Sequence, residues 1–122
     1  MPHQEPNVDA FPGRTSFAGF MSVEMRDFEL NDGLGTSEEI DIKNYNIIGF
    51  AAYIDRGEWG DAILVPELSY DGKNWKPSNG ALTAPGMLEL LTNTAAAWFR
   101  VSLVALSGVP GTVTITLNAK NA

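Results

Sequence analysis

The sequence predicts an all-β chain: an antiparallel β-sandwich of jelly-roll type, with about eight strands behind an extended N-terminal arm. Three observations predict it. Short runs alternate apolar and polar residues, most clearly where Val113, Ile115 and Leu117 interleave with Thr112, Thr114 and Thr116. Clusters of Gly, Pro, Asn and Asp punctuate those runs at regular spacing. No convincing helical period runs along the chain, and Leu88, Glu89, Leu90 and Leu91 mark the one place where a short helix could hide. The 122 residues are enough for one well-filled core, so residues 21–122 are read as one sandwich domain and residues 1–20 as the arm.

In the arm, Pro2, Pro6, Pro12 and Gly13 prevent regular structure, while Phe11, Phe17 and Phe20 are too apolar for an idle linker. Two readings stand: a loose tail whose last aromatic rings tuck onto the body, or an arm that lays Phe11 and Phe17 on a neighbouring subunit. Met21, Val23 and Met25 then alternate with polar residues, but Phe28 and Leu30 fall on the opposite parity. A bulge at Arg26 and Asp27 would return both sets to one core. Asn31, Asp32 and Gly33 turn the chain, and Ile40 and Ile42 mark a short strand with one charged face.

Residues 45–54 are apolar on both parities, the pattern of a central strand buried on two sides, and Gly49, Ala51 and Ala52 suggest close approach by another element. Residues 61–70 form a strand that Pro66 confines to an edge or a bulge. Its facing stays open, because Ile63 and Val65 oppose Leu64 and Leu68. Asp71-Gly72 is a tight-hairpin signal leading to Trp75. Strands follow at residues 87–91, 98–106 and 112–117, with turns at residues 92–94 and 107–111.

Charge and composition then exclude whole classes of function. Eight Lys and Arg against fifteen Asp and Glu give a net charge of -7, which opposes binding to a nucleic-acid phosphate backbone. With no cysteine there are no disulfides, thiolate metal sites or thiol nucleophiles. The single histidine, His3, removes the usual Ser-His-Asp triad and multi-histidine metal sites. Neither a membrane-length apolar run nor a signal-peptide layout is present. Neither an enzyme nor a cofactor is expected.

Two constellations retain a chemical reading beside a structural one. Asp27, Glu29, Asn31 and Glu38 copy positions one, three, five and twelve of a calcium loop. The glycine that loop requires is displaced to Gly33, and solvated strand edges account for the same acids. Trp59, Tyr53 and Trp75 would suit a glycan-stacking platform, or equally the core and ends of a sandwich.

Ser69, Asp71, Gly72 and Trp75 form an S-x-D-G-x-x-W hairpin, preceded by Trp59-Gly60. It is followed by Phe99-Arg100-Val101, Ser107-Gly108 and the run T-V-T-I-T-L that starts at Thr112. This order, over residues 45–118, resembles small β-sandwich domains of tailed-bacteriophage structural proteins, including capsid decoration (cement) proteins and modules of tail or head fibres. In that family the motif marks a scaffold, with Ser69 bonding the turn and Trp75 packing back on the sheet.

The resemblance implies a virion protein on the capsid surface that binds the major capsid protein and stabilises the assembled head. Phe11, Arg14, Phe17 and Phe20 would be the contacts. A homo-oligomer is implied, a trimer if the protein sits on local three-fold positions, and neither nucleic acid nor membrane is a partner. The alternatives are a carbohydrate-binding host-attachment module and a tail, neck or baseplate subunit. Residues 97–118 carry one charge, Arg100, so that side and the arm are where contacts are expected.

Overall fold

Alternation along each strand sorts its residues into an inner and an outer face, and two sheets close over the inner ones. The computed structural model describes residues 7–8, 14–17, 19–30, 34–78, 80–91, 95–105 and 111–121. The turns read at residues 31–33, 92–94 and 107–110, and His3, Phe11 and Asn31, lie outside the described residues. The strands are β1 (Asn7–Val8), β2 (Arg14–Phe17), β3 (Phe20–Glu29), β4 (Leu34–Thr36), β5 (Ile40–Asp41) and β6 (Ile47–Gly57). They continue as β7 (Ile63–Ser69), β8 (Lys76–Pro77), β9 (Gly86–Leu91), β10 (Trp98–Val104) and β11 (Gly111–Lys120), with no helix among the described residues.

A six-stranded sheet has the order β1-β2-β3-β11-β6-β9, and a five-stranded sheet the order β4-β10-β7-β8 with β5 also on β10. β4 pairs with one end of β10 and β5 with the other, so the two act as one interrupted strand. Ser37 bridges the break: its N–H donates to the Val101 carbonyl and its Oγ accepts the Val101 N–H, both at 2.8 Å. With that pair counted once, β3-β11-β6-β9 faces β4/β5-β10-β7-β8, and the chain alternates between sheets as a jelly roll does. Phe50 of β6 and Phe99 of β10 meet between the sheets with ring centroids 6.0 Å apart.

The parity slip in β3 is a bulge. Val113 pairs with Phe28 and Ile115 with Met25, so Thr114 alone faces Arg26 and Asp27. Asp27 adopts the left-handed conformation there, φ 57°, and Met21, Val23, Met25 and Leu30 all reach the core. Pro66 behaves as its missing N–H requires. Among the described residues that side of β7 meets only the two-residue β8 and the isolated Leu64–Leu82 bridge, and the Pro66 carbonyl accepts the Ser78 N–H at 2.8 Å. The facing of β7 is resolved with Leu64 fully buried, Leu68 packed on the core and Ile63 exposed.

Three expectations are corrected. Residues 7–8 and 14–17 are not an extended arm but a hairpin added to the edge of the six-stranded sheet, where backbone pairing with β3 is available. The strand read at residues 87–91 is present as β9, paired with β6, and the short helix that could hide at residues 88–91 does not form. β6 is buried on one face only: Ile48, Phe50 and Ala52 fill the core, while Gly49 and Ala51 are half-buried outside and Tyr53 is 50% exposed. The Asp71-Gly72 turn is no two-residue hairpin, because Leu68 pairs with Lys76 and residues 69–75 form the connection.

Candidate interaction surfaces

The loop at residues 69–75 is organised by two side chains. Ser69 is buried; its Oγ accepts the Gly72 N–H at 2.8 Å and donates to Asp71 Oδ1 at 3.0 Å. Asp71 Oδ1 also accepts the N–H groups of Lys73 and Asn74, each at 2.8 Å, and Oδ2 accepts Asn74 Nδ2 at 2.7 Å. The Asn74 backbone bond, followed by that of Lys73, holds the Asp71 carboxyl well below the usual carboxylate range. Gly72 sits at φ 75° against the edge of Trp98.

This loop lays Trp75 on the outer face of the five-stranded sheet, with the Arg100 guanidinium 4.2 Å from its ring centroid. Arg100 Nε in turn donates to Glu67 Oε1 at 2.7 Å, an ion pair left only 22% and 15% exposed. Trp98 carries Lys43 at 4.4 Å over its ring, and Lys43 pairs with Asp41 at 3.0 Å. The motif residues Ser69, Asp71, Gly72 and Trp75 thus act together, as a structural unit.

The proposed glycan platform does not assemble. Trp59 is 8% exposed within the core and donates its Nε1–H to the Ala62 carbonyl at 2.8 Å. Tyr53 stands on the outer face of the six-stranded sheet and Trp75 on that of the other. A buried ring with its polar edge already satisfied offers nothing to a sugar.

A cleft of about 490 Å3 lies between β3 and the β4 side of the other sheet. Glu24, Arg26, Asp27, Glu29, Thr36, Ser37 and Glu38 supply its polar wall, and Met25, Phe28 and Leu103 its apolar one. Three of the calcium candidates, Asp27, Glu29 and Glu38, therefore share one cleft. No group of three or more carboxylates or histidines is placed to hold a metal ion among the described residues. Asp27 instead faces Arg56 at 3.7 Å, and Arg26 pairs with Glu24 at 2.8 Å.

Of the expected contact residues, Arg14 and Phe17 are the first and last of β2, and Phe20 opens β3, half-buried and paired with Phe17. The charge-poor residues 98–104 and 111–120 are β10 and β11, central strands of the two sheets. They carry only Arg100 and Lys120 and, lying in opposite sheets, do not form one contact side.

Neither a family model nor a curated protein matches the chain. Among solved structures, a chain from work on Bacillus endospore appendages, described as disulfide-linked pili, is 9% identical, over 95% of this chain and 99% of that one, with a TM-score of 0.43.

Proposed function

We propose that the chain is a structural protein of a tailed-bacteriophage virion, a decoration protein that binds the major capsid protein on the assembled head and opposes its disassembly. The observation that carries this reading is the β1–β2 hairpin. The eight-strand jelly-roll order is complete from β3 to β11, and the hairpin extends one sheet past β3, with Arg14 and Phe17 as the first and last residues of β2. An addition outside that strand order is available for docking. The S-x-D-G-x-x-W loop, formed as a scaffold over Arg100, supports the same reading.

Stabilisation then follows from mass action: a protein that binds only the closed shell draws the equilibrium away from free subunits. Many copies on a symmetric surface multiply a modest contact energy. Co-sedimentation with purified expanded capsids tests the proposal. The full chain should pellet with capsids and raise their melting temperature, whereas deletion of residues 1–18 should abolish both effects while leaving the circular dichroism of the sandwich intact. Full binding by the deletion variant would refute the docking role, and absence of the chain from purified virions would refute the assignment.

A further inference from the structure

β3 is paired unevenly. β11 runs along it from Phe20 to Glu29, but β2 reaches only residues 20–23. Along residues 24–29, no strand lies on the side away from β11 among the described residues. Such an edge presents backbone N–H and C=O groups to any extended chain that fits beside it. The cleft of about 490 Å3 opens next to this edge, with Met25, Phe28 and Leu103 lining its apolar part. An added strand would therefore meet two surfaces: apolar residues on its inner side and the outer-face side chains of β3 on the other.

Charge selects the occupant. Glu24 and Glu29 lie opposite Thr116 and Thr112 on the outer face, and Asp27 projects at the bulge, against the single base Arg26 of this strand. Arg26 is taken by Glu24, and Asp27 by Arg56, which leaves Glu29 without an ion-pair partner among the described residues. A second copy brings the same net charge of -7. Its own residues 1–13 bring Glu5 and Asp9, with Pro2, Pro6 and Pro12 unable to donate backbone bonds. Self-pairing of β3 edges would also have to align two bulges. A basic segment meets none of these obstacles.

We infer that residues 24–29 of β3 form a strand-addition site for an extended basic segment of a partner protein. That segment alternates, placing Lys or Arg beside Glu24 and Glu29, and apolar side chains beside Met25 and Phe28. The inference concerns the chemistry of the segment and is independent of the assembly to which the partner belongs.

The test is an NMR titration of the isotope-labelled full chain with synthetic peptides of about eight residues, a typical strand length. One peptide alternates Val and Lys, the second alternates Val and Glu, and the third is the Val–Lys peptide N-methylated at alternate residues. The Val–Lys peptide should shift the amide signals of residues 24–29 and protect them from hydrogen exchange, and the other two should not bind. A Glu24→Lys, Glu29→Lys variant should lose affinity about tenfold, as expected for two exposed charge pairs removed and reversed. Equal binding of the N-methylated peptide would reduce the site to plain charge attraction and overturn strand addition. Equal binding of the Val–Glu peptide, unchanged affinity in the charge-reversed variant, or shifts centred on β9 would overturn it as well.

Discussion

The two sheets are built differently. In the six-stranded sheet β3, β11 and β6 pair over long stretches, and backbone bonds alone carry the ladder, with bulges where the register shifts. The five-stranded sheet is interrupted, and side chains repair it. Ser37 Oγ supplies the acceptor that β4 and β5 fail to offer Val101, and Ser69 with Asp71 closes the connection to β8. Where the backbone suffices, the identity of an outer-face residue matters little. Where it is broken, one hydroxyl or carboxylate decides the local structure.

The first way to break the contrast is to attack what the sheets share. Phe99 is fully buried against Phe50, so Phe99→Ala should cost about 3–5 kcal/mol, and chemical denaturation should still show a single transition, moved to lower denaturant. Two separate transitions would show that the sheets unfold independently.

Ser37→Ala tests the repair itself. It leaves the buried Val101 N–H without its acceptor and should cost about 1–3 kcal/mol. Ser22→Ala, on the outer face of the backbone-paired sheet, should stay within about 0.5 kcal/mol in the same assay. Similar losses at both positions would erase the distinction between the sheets.

Trp75→Ala should cost about 1–2 kcal/mol, because it removes the ring stacked on Arg100 and opens the Arg100–Glu67 pair to water. Retention of the wild-type midpoint would show that the ring only rests there. The smallest effect is a pH dependence. The folded-state pKa of Asp71 is depressed by bonds to its ionised form, so its stabilisation is complete above the unfolded value of about 3.9 and fades as pH falls below it. The melting temperature of Asp71→Asn should accordingly fall less than that of the wild type on acidification through this range.

The same contrast explains which features could be read from residues alone. The bulge at Arg26 and Asp27 showed as a slip between Met25 and Phe28, and the edge position of Pro66 followed from its missing donor. Both are local consequences of backbone pairing. The break at Ser37 left no trace, since a serine that replaces a carbonyl looks like any polar residue between Thr36 and Glu38. Trp59 and Trp75 have similar neighbours in sequence, yet one is buried by Gly57 and Gly60 turning its loop inward, and the other is laid outward by Asp71. Two-sided apolarity in β6 was misleading because Gly49 and Ala51 expose little apolar surface, so an outer face tolerates them. The cleft joins residues near 26 to residues near 37 across both sheets, a juxtaposition no strand period contains.

The order of strands also governs how the protein is made. β3 and β6 never pair with each other; each pairs with β11, and β4, β5 and β7 depend likewise on β10. As the chain leaves the ribosome, both sheets stay in pieces until residues 98–120 emerge, and these two strands then key them in quick succession. Pairing over such long sequence separations slows folding and leaves unpaired edges exposed meanwhile. The acidic residues along β3, from Glu24 to Glu29, keep that waiting edge in water and apart from nascent neighbours.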